Sequence, residues 1–281
     1  MIAMRSFAPV VCAAALVTPA LAGTTTFNID PGESHLTITS GNVLLGGTTS
    51  YAAIAISPNG FTAELMGTVD ADVTSGTIEF LGSSLIRAQQ HDSYLPGSKS
   101  APNNPEPADF AIEYATQPTL GLDLRSILRD MVFRIQDSAA HTLSGPAGNQ
   151  TFTPTGTVWT ILDGVANLNT GSPPLIELTA AAPFDNTSTT HGSLVAQVNF
   201  DTLTIPVALE MVFFGDDLKI TLQFTGVIVG TAITTSACAG DYDGDLDVDF
   251  EDLNLILSDF NGQYSFQDLN HVLSAFNTSC E

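Results

Sequence analysis

Basic residues are scarce. Seven Lys and Arg stand against thirty Asp and Glu in 281 residues, a formal charge of −23. Neutralising a phosphate backbone takes clustered Lys and Arg, so the composition argues against nucleic-acid binding. Docking on anionic lipid is disfavoured for the same reason. Tryptophan occurs once, at Trp159, which gives little to an aromatic carbohydrate platform. No apolar run, the one near the N-terminus included, has the length a bilayer span needs. Charged residues are only 13% and hydrophobic ones 44% of the chain. That is not the balance of an acidic disordered polymer, and it supports one large all-β domain or two unequal domains.

Residues 1–22 read as a secretory signal peptide. Arg5 supplies the positive start, Val10 to Val17 the short apolar stretch, and Ala20-Leu21-Ala22 the small-x-small cleavage site, so Gly23 should begin the mature chain. The expected product is secreted, extracellular or periplasmic. Cleavage removes Cys12 and leaves Cys238 and Cys280. An even pair in an oxidising compartment implies one disulfide. Free thiols are the alternative; zinc lacks ligands, because only His271 lies between the two.

Residues 23–230 have the grammar of an all-β domain, an antiparallel sandwich or barrel. Alternating runs occur at His35–Thr39, Tyr51–Ser57, Phe110–Tyr114, Val132–Ile135, Thr157–Leu162 and Leu175–Leu178. Phe61–Val73 and Gly76–Ile86 read as a pair joined at Thr74-Ser75. Ser193–Phe214 must bend or split near Asp201 and Pro206, since Pro cannot donate to a central ladder. Asn199–Phe214 and Asp217–Val229 form a long hairpin pattern across Gly215-Asp216. Only Asp123–Asp130 looks helical, with Leu124, Ile127, Leu128 and Met131 on one face. Residues 87–108, with Pro96, Pro102, Pro105 and Pro107, read as a long exposed loop.

No catalytic motif stands out in this domain. The five histidines are scattered, and His141 and His191 read as solvated turn residues. Glu64, Glu79, Glu113, Glu177 and Glu210 could pair across a glycosidase cleft, but strand alternation places exposed Glu by default. Arg125 and Arg129 could hold an anion, or pair with Asp123 or Asp130.

Residues 231–237 are a short polar linker, and 238–281 hold ten acids and no Lys or Arg. Residues 250–261 and 266–277 repeat at an offset of 16, with eight of twelve positions identical. Each copy places apolar residues on one helical face: Phe250, Leu253, Ile256, Leu257 and Phe260, then Phe266, Leu269, Val272, Leu273 and Phe276. Neither helix can bury its stripe alone; the two can do so against each other. Before the first helix, Asp241, Asp243, Asp245, Asp247, Asp249 and Asp252 fall at positions 1, 3, 5, 7, 9 and 12. That is the oxygen-donor spacing of an EF-hand loop, which wraps calcium in six to eight oxygens. Position 6, normally Gly, is Leu246. A second loop counted back from Asp268 starts at Leu257 and offers only Asp259, Asn261, Ser265 and Asp268, so one working site and one degenerate one are expected.

These features resemble a dockerin of the Gly/Cys type found at the C-termini of secreted, planctomycete-like bacterial proteins. The resemblance covers residues 238–280. It implies a calcium-binding module that attaches its passenger to a cohesin-like receptor or the cell envelope, with Cys238 and Cys280 closing it end to end. It leaves the β domain as a non-enzymatic structural or binding module, or alternatively a polysaccharide-active enzyme or glycan binder. The opening Phe27-Asn28-Ile29-Asp30-Pro31, with Ser34 and Leu36, resembles the start of YceI-like lipocalin-type proteins. That implies a lipid-binding barrel as a third alternative.

Overall fold

The structure is a computed structural model that describes residues 23–279 apart from 48, 57–58, 75, 99, 117–119, 122, 147, 170–174, 198–199, 216–217, 234–239, 244–246, 259, 261–263 and 265. The described residues begin with β1 (Gly23–Ile29), β2 (His35–Leu45), β3 (Thr49–Ala55), β4 (Thr62–Thr74), β5 (Thr77–Phe80) and β6 (Leu85–Ala88). Two-residue strands β7 (Ser93–Tyr94) and β8 (Glu106–Pro107) pair with each other before β9 (Phe110–Tyr114) and β10 (Leu124–Gln136). Then come β11 (His141–Thr142), β12 (Asn149–Phe152), β13 (Val158–Leu168), β14 (Leu175–Glu177), β15 (Phe184–Asp185) and β16 (Gly192–Ala196). The long pair β17 (Phe200–Gly215) and β18 (Leu218–Ile233) ends the series. Most of these strands belong to one antiparallel sheet.

The expected hairpin is there, in unbroken register from Phe200–Ile233 to Gly215–Leu218. Alternation explains it: Leu203, Ile205, Val207, Leu209, Met211 and Phe213 are all buried, and the intervening residues face outward. The predicted break lies just ahead of Asp201, between β16 and β17, and not at Pro206. There the carbonyl of Pro206 accepts from Asn186 Nδ2 (2.9 Å), and Asn186 Oδ1 accepts from Ala208 N (3.0 Å). The side chain of Asn186 thus covers the edge that Pro206 leaves without a donor.

The sheet closes on itself. β1 and β2 lie end to end between β18 and β4: Asn28 opposes Thr231 and Thr68, and His35 opposes Val227 and Glu64. From β4 the pairing continues through β6 to β10 and on to β13. β13 pairs β15, and Thr187 N donates to Ala208 O of β17 at 2.8 Å. Side chains meet across the interior. Phe110 and Phe224, from strands that do not pair with each other, meet at 5.3 Å across it, and Trp159 is fully buried against Phe133 at 5.6 Å. The chamber a lipid carrier needs is occupied at that level by side chains.

Asp123–Asp130 is not a helix. It is the start of β10, which pairs β9 through Leu124–Leu128 and β13 through Ser126–Gln136. A bulge lies between Arg129 and Val132, where Asp130 takes φ 57. The bulge shifts the alternation by a residue, and β10 is buried on both faces, so Leu124, Ile127, Leu128 and Met131 imitate a helical stripe. The second face is covered by the segment read as an exposed loop. Tyr94 and Ala108 pack with Ala111 and Ile127, Gly97 O accepts from Asn167 Nδ2 (2.7 Å), and Arg129 pairs Glu106 (2.6 Å). Gly76–Ile86 is likewise two strands, β5 and β6, divided where Ser84 Oγ accepts from Asp70 N at 2.9 Å.

Gly67 (φ 117) sits in β4 where β6 crosses closest; a Cβ there would lie 2.1 Å from Leu85 O. Gly67→Ala is expected to cost about 3 kcal/mol, summing left-handed strain and overpacking. Urea unfolding of the full chain measures it.

The tail has its own core. After β19 (Asp247–Val248) come α1 (Phe250–Ser258), α2 (Phe266–Ala275) and β20 (Thr278–Ser279), with β19 paired to β20. Val248, Ile256, Tyr264 and Val272 are its buried residues. Two of the predicted stripe positions, Ile256 and Val272, meet inside. The stripes are not wholly buried: Phe250, Leu257, Phe266 and Leu273 are all more than half exposed. Leu253, Phe260 and Leu269 pack partly buried against that core. The flanking rings pair near the surface instead, Phe250 with Phe276 (5.2 Å) and Phe260 with Phe266 (5.0 Å). The repeat exchanges these two pairs, so the module keeps an approximate internal two-fold. No helix among the described residues is long and apolar enough to cross a membrane.

Candidate metal centre

Asp241, Asp243 and Asp252 come together, with one carboxylate oxygen from each within 4.8 Å of the others. Gly240 makes this approach: at φ 119 it runs against α2, where a Cβ would lie 3.0 Å from His271 O and from Val248 Cγ1. Asp252 is fully buried in the first turn of α1, and Asp241 is nearly so.

Asp252 organises the loop. Its Oδ1 accepts from Tyr242 N and from Asp243 N (3.0 Å), and its Oδ2 accepts from Asp249 N (2.8 Å). Asp249 answers by accepting from Glu251 N at 2.6 Å. Asp249 and Asp252 therefore form a reciprocal cap on α1, with acidic groups at its positive end. The Asp249 carboxylate is engaged at the helix terminus. Asp247 lies in β19 opposite Ser279, and neither joins the three-carboxylate group. Asp245 and Leu246 lie outside the described residues, as do Cys238 and Cys280.

The donor set fits a hard divalent cation. Two oxygens on one calcium are separated by at most twice a bond of about 2.5 Å, so a 4.8 Å spread is within one coordination sphere. All three donors are carboxylates, and no nitrogen or sulfur joins them among the described residues. Residues 238–281 carry no Lys or Arg to offset them.

The second loop differs. Asp259, Asn261 and Ser265 lie outside the described residues. Asp268 is on α2, where its Oδ1 accepts from the Tyr242 hydroxyl at 2.9 Å. Burial, and then the hydrogen bond to Asp268, push the Tyr242 phenol well above its ordinary pKa. Tyr242 is the residue that sequence reasoning passed over. Its signal was position: it sits between two acids, and the second copy has Ser258 in its place.

In the β domain several of the sequence candidates have structural partners. Trp159 is buried and offers no platform. Arg125 pairs Asp123 (2.9 Å) and Glu113 (3.5 Å). Arg129 pairs Glu106, while Asp130 accepts from Gln90 (2.8 Å). Glu210 accepts from Gln223 (3.2 Å) on the outer face. His141 is not a solvated turn residue: it packs against Phe80 and Phe152 and lies 3.0 Å from Asp137. Thr157 is 3.2 Å from the same ring nitrogen, Nε2. A nucleophile relay needs its two partners on opposite nitrogens, so this trio is not one.

One strongly perturbed acid was not visible in the sequence pattern. Asp109 is fully buried; its Oδ2 accepts from Met131 N (2.8 Å) at the β10 bulge, and its Oδ1 has no hydrogen-bond partner among the described residues. Burial raises its pKa to about 7, with Asp130 adding to the rise.

Compared with family models, with curated proteins and with solved structures, the chain matches none.

Proposed function

We propose that this is a secreted protein whose C-terminal module binds calcium and attaches a non-enzymatic β domain to a receptor of cohesin-like or cell-envelope type. The observation that carries the reading is the convergence of Asp241, Asp243 and Asp252 within one coordination sphere, from loop positions 1, 3 and 12. The exposed rings and leucines of α1 and α2 support a docking role, since Phe250, Leu257, Phe266 and Leu273 stand on a module too small to cover them. The acidic surface around them suits a receptor with a basic rim.

The test is retention on the producing cells. Full-length protein is expected to fractionate with the envelope in calcium and to be released by a chelator. The Asp241→Ala variant is expected in the medium under both conditions. Retention that survives both the chelator and deletion of residues 238–281 would sink the anchoring reading.

A further inference from the structure

Tyr242 occupies the second position of the acidic loop, but its side chain leaves that loop. The half-buried ring meets Tyr264 edge to face at 5.7 Å, and its hydroxyl donates to Asp268 Oδ1 at 2.9 Å. The repeat offset of 16 makes Asp268 the counterpart of Asp252. In the first copy the position-12 carboxylate gathers backbone N–H groups of its own loop. In the second copy the carboxylate at that place takes a hydroxyl from the first loop. Among the described residues no counterpart of this link runs from Ser258. Ser258, the counterpart of Tyr242, donates to Leu255 O within its own helix at 2.7 Å. Leu257 stands where Asp241 would be, so the second half lacks the carboxylate that opens a loop.

We infer that Tyr242 ties α2 to the acidic loop through Asp268, doing with one hydrogen bond what a second cation would do between two equivalent loops. A hydroxyl donating to a carboxylate is a charge-assisted bond, and a half-buried site strengthens it. The consequence rests on the calcium reading above. An ion held by Asp241 and Asp243 fixes the backbone on both sides of Tyr242, so one ion orders both helices. Tyr242 is a positioning residue: its loss should leave the ion in place and free the second helix.

Hydrogen exchange on the full chain, with and without calcium, tests this together with the ion count. In the unaltered chain, one ion is expected to slow amide exchange in both 250–258 and 266–275. In Tyr242→Phe, which keeps the ring contact with Tyr264, one ion still binds and α1 is still protected. The 266–275 amides then exchange about tenfold faster than in the unaltered chain, the size of one lost net hydrogen bond. Equal protection of α2 in the two chains would overturn the tie, and so would a second ion of similar affinity. If calcium changes nothing in either chain, the calcium reading fails alone. The comparison of α2 exchange without the ion then decides the role of Tyr242: faster in the variant upholds it, unchanged rejects it.

Discussion

Asp252→Ala will abolish calcium binding and unfold the tail while the β domain stays folded. The fully buried Asp252 carboxylate accepts three backbone N–H groups, from Tyr242, Asp243 and Asp249. These donors are part-buried, and leaving each without its acceptor costs on the order of 1 kcal/mol, the helix cap included. The tail core rests on Val248, Ile256, Tyr264 and Val272, too little apolar burial to absorb that sum. The β-domain core is a separate cluster and does not include them. Hydrogen exchange should show α1 and α2 unprotected and the β17–β18 pair unchanged. A tail that stays protected and still binds calcium would mean that Asp252 does not organise the loop.

Asp109→Asn will stabilise the protein above neutral pH. The folded carboxyl titrates at about 7, against about 3.9 for a free aspartate, because burial penalises its charge. A carboxyl whose pKa is raised on folding carries no penalty below the unfolded value. Between pH 4 and 7 the folded chain holds the extra proton, so stability falls as pH rises through that window. Three pH units correspond to about 4 kcal/mol, an upper figure for this site. Asparagine keeps an oxygen for Met131 N and removes the charge. The difference in urea midpoint between Asp109→Asn and the unaltered chain should be near zero at pH 4 and reach its maximum above pH 7. Asp201, raised to about 6 by burial, leaves a residual slope of the same sign in both chains. A difference that is constant with pH would reject the buried-charge account.

The legible parts of the chain were those where one local pattern decides. Leu218, Ile220, Leu222 and Phe224 alternate, so the β17–β18 hairpin was legible, while the break expected at Pro206 is absent. The acidic loop was legible because Asp241, Asp243 and Asp252 fall at positions with a common geometric purpose. What misled was tertiary. Leu124 to Met131 looks helical only because a bulge at Asp130 and a covering segment bury both faces of one strand. Phe110, Ala111 and Ile112 are all fully buried for the same reason. The repeat announced two apolar stripes, but not that Phe250 and Phe266 would lie outside the contact. Asp109 and Tyr242 gave no periodic signal at all. Their partners, Met131 and Asp268, are 22 and 26 residues away, and only the fold brings them together.

The central claim is that the tail holds one calcium ion through Asp241, Asp243 and Asp252. Calorimetric titration of the full, metal-stripped chain with calcium, beside the Asp241→Ala variant, tests it most directly. The predicted result is saturable binding of one ion per chain that is lost in the variant. Absence of heat up to millimolar calcium, or identical binding in Asp241→Ala, would contradict it.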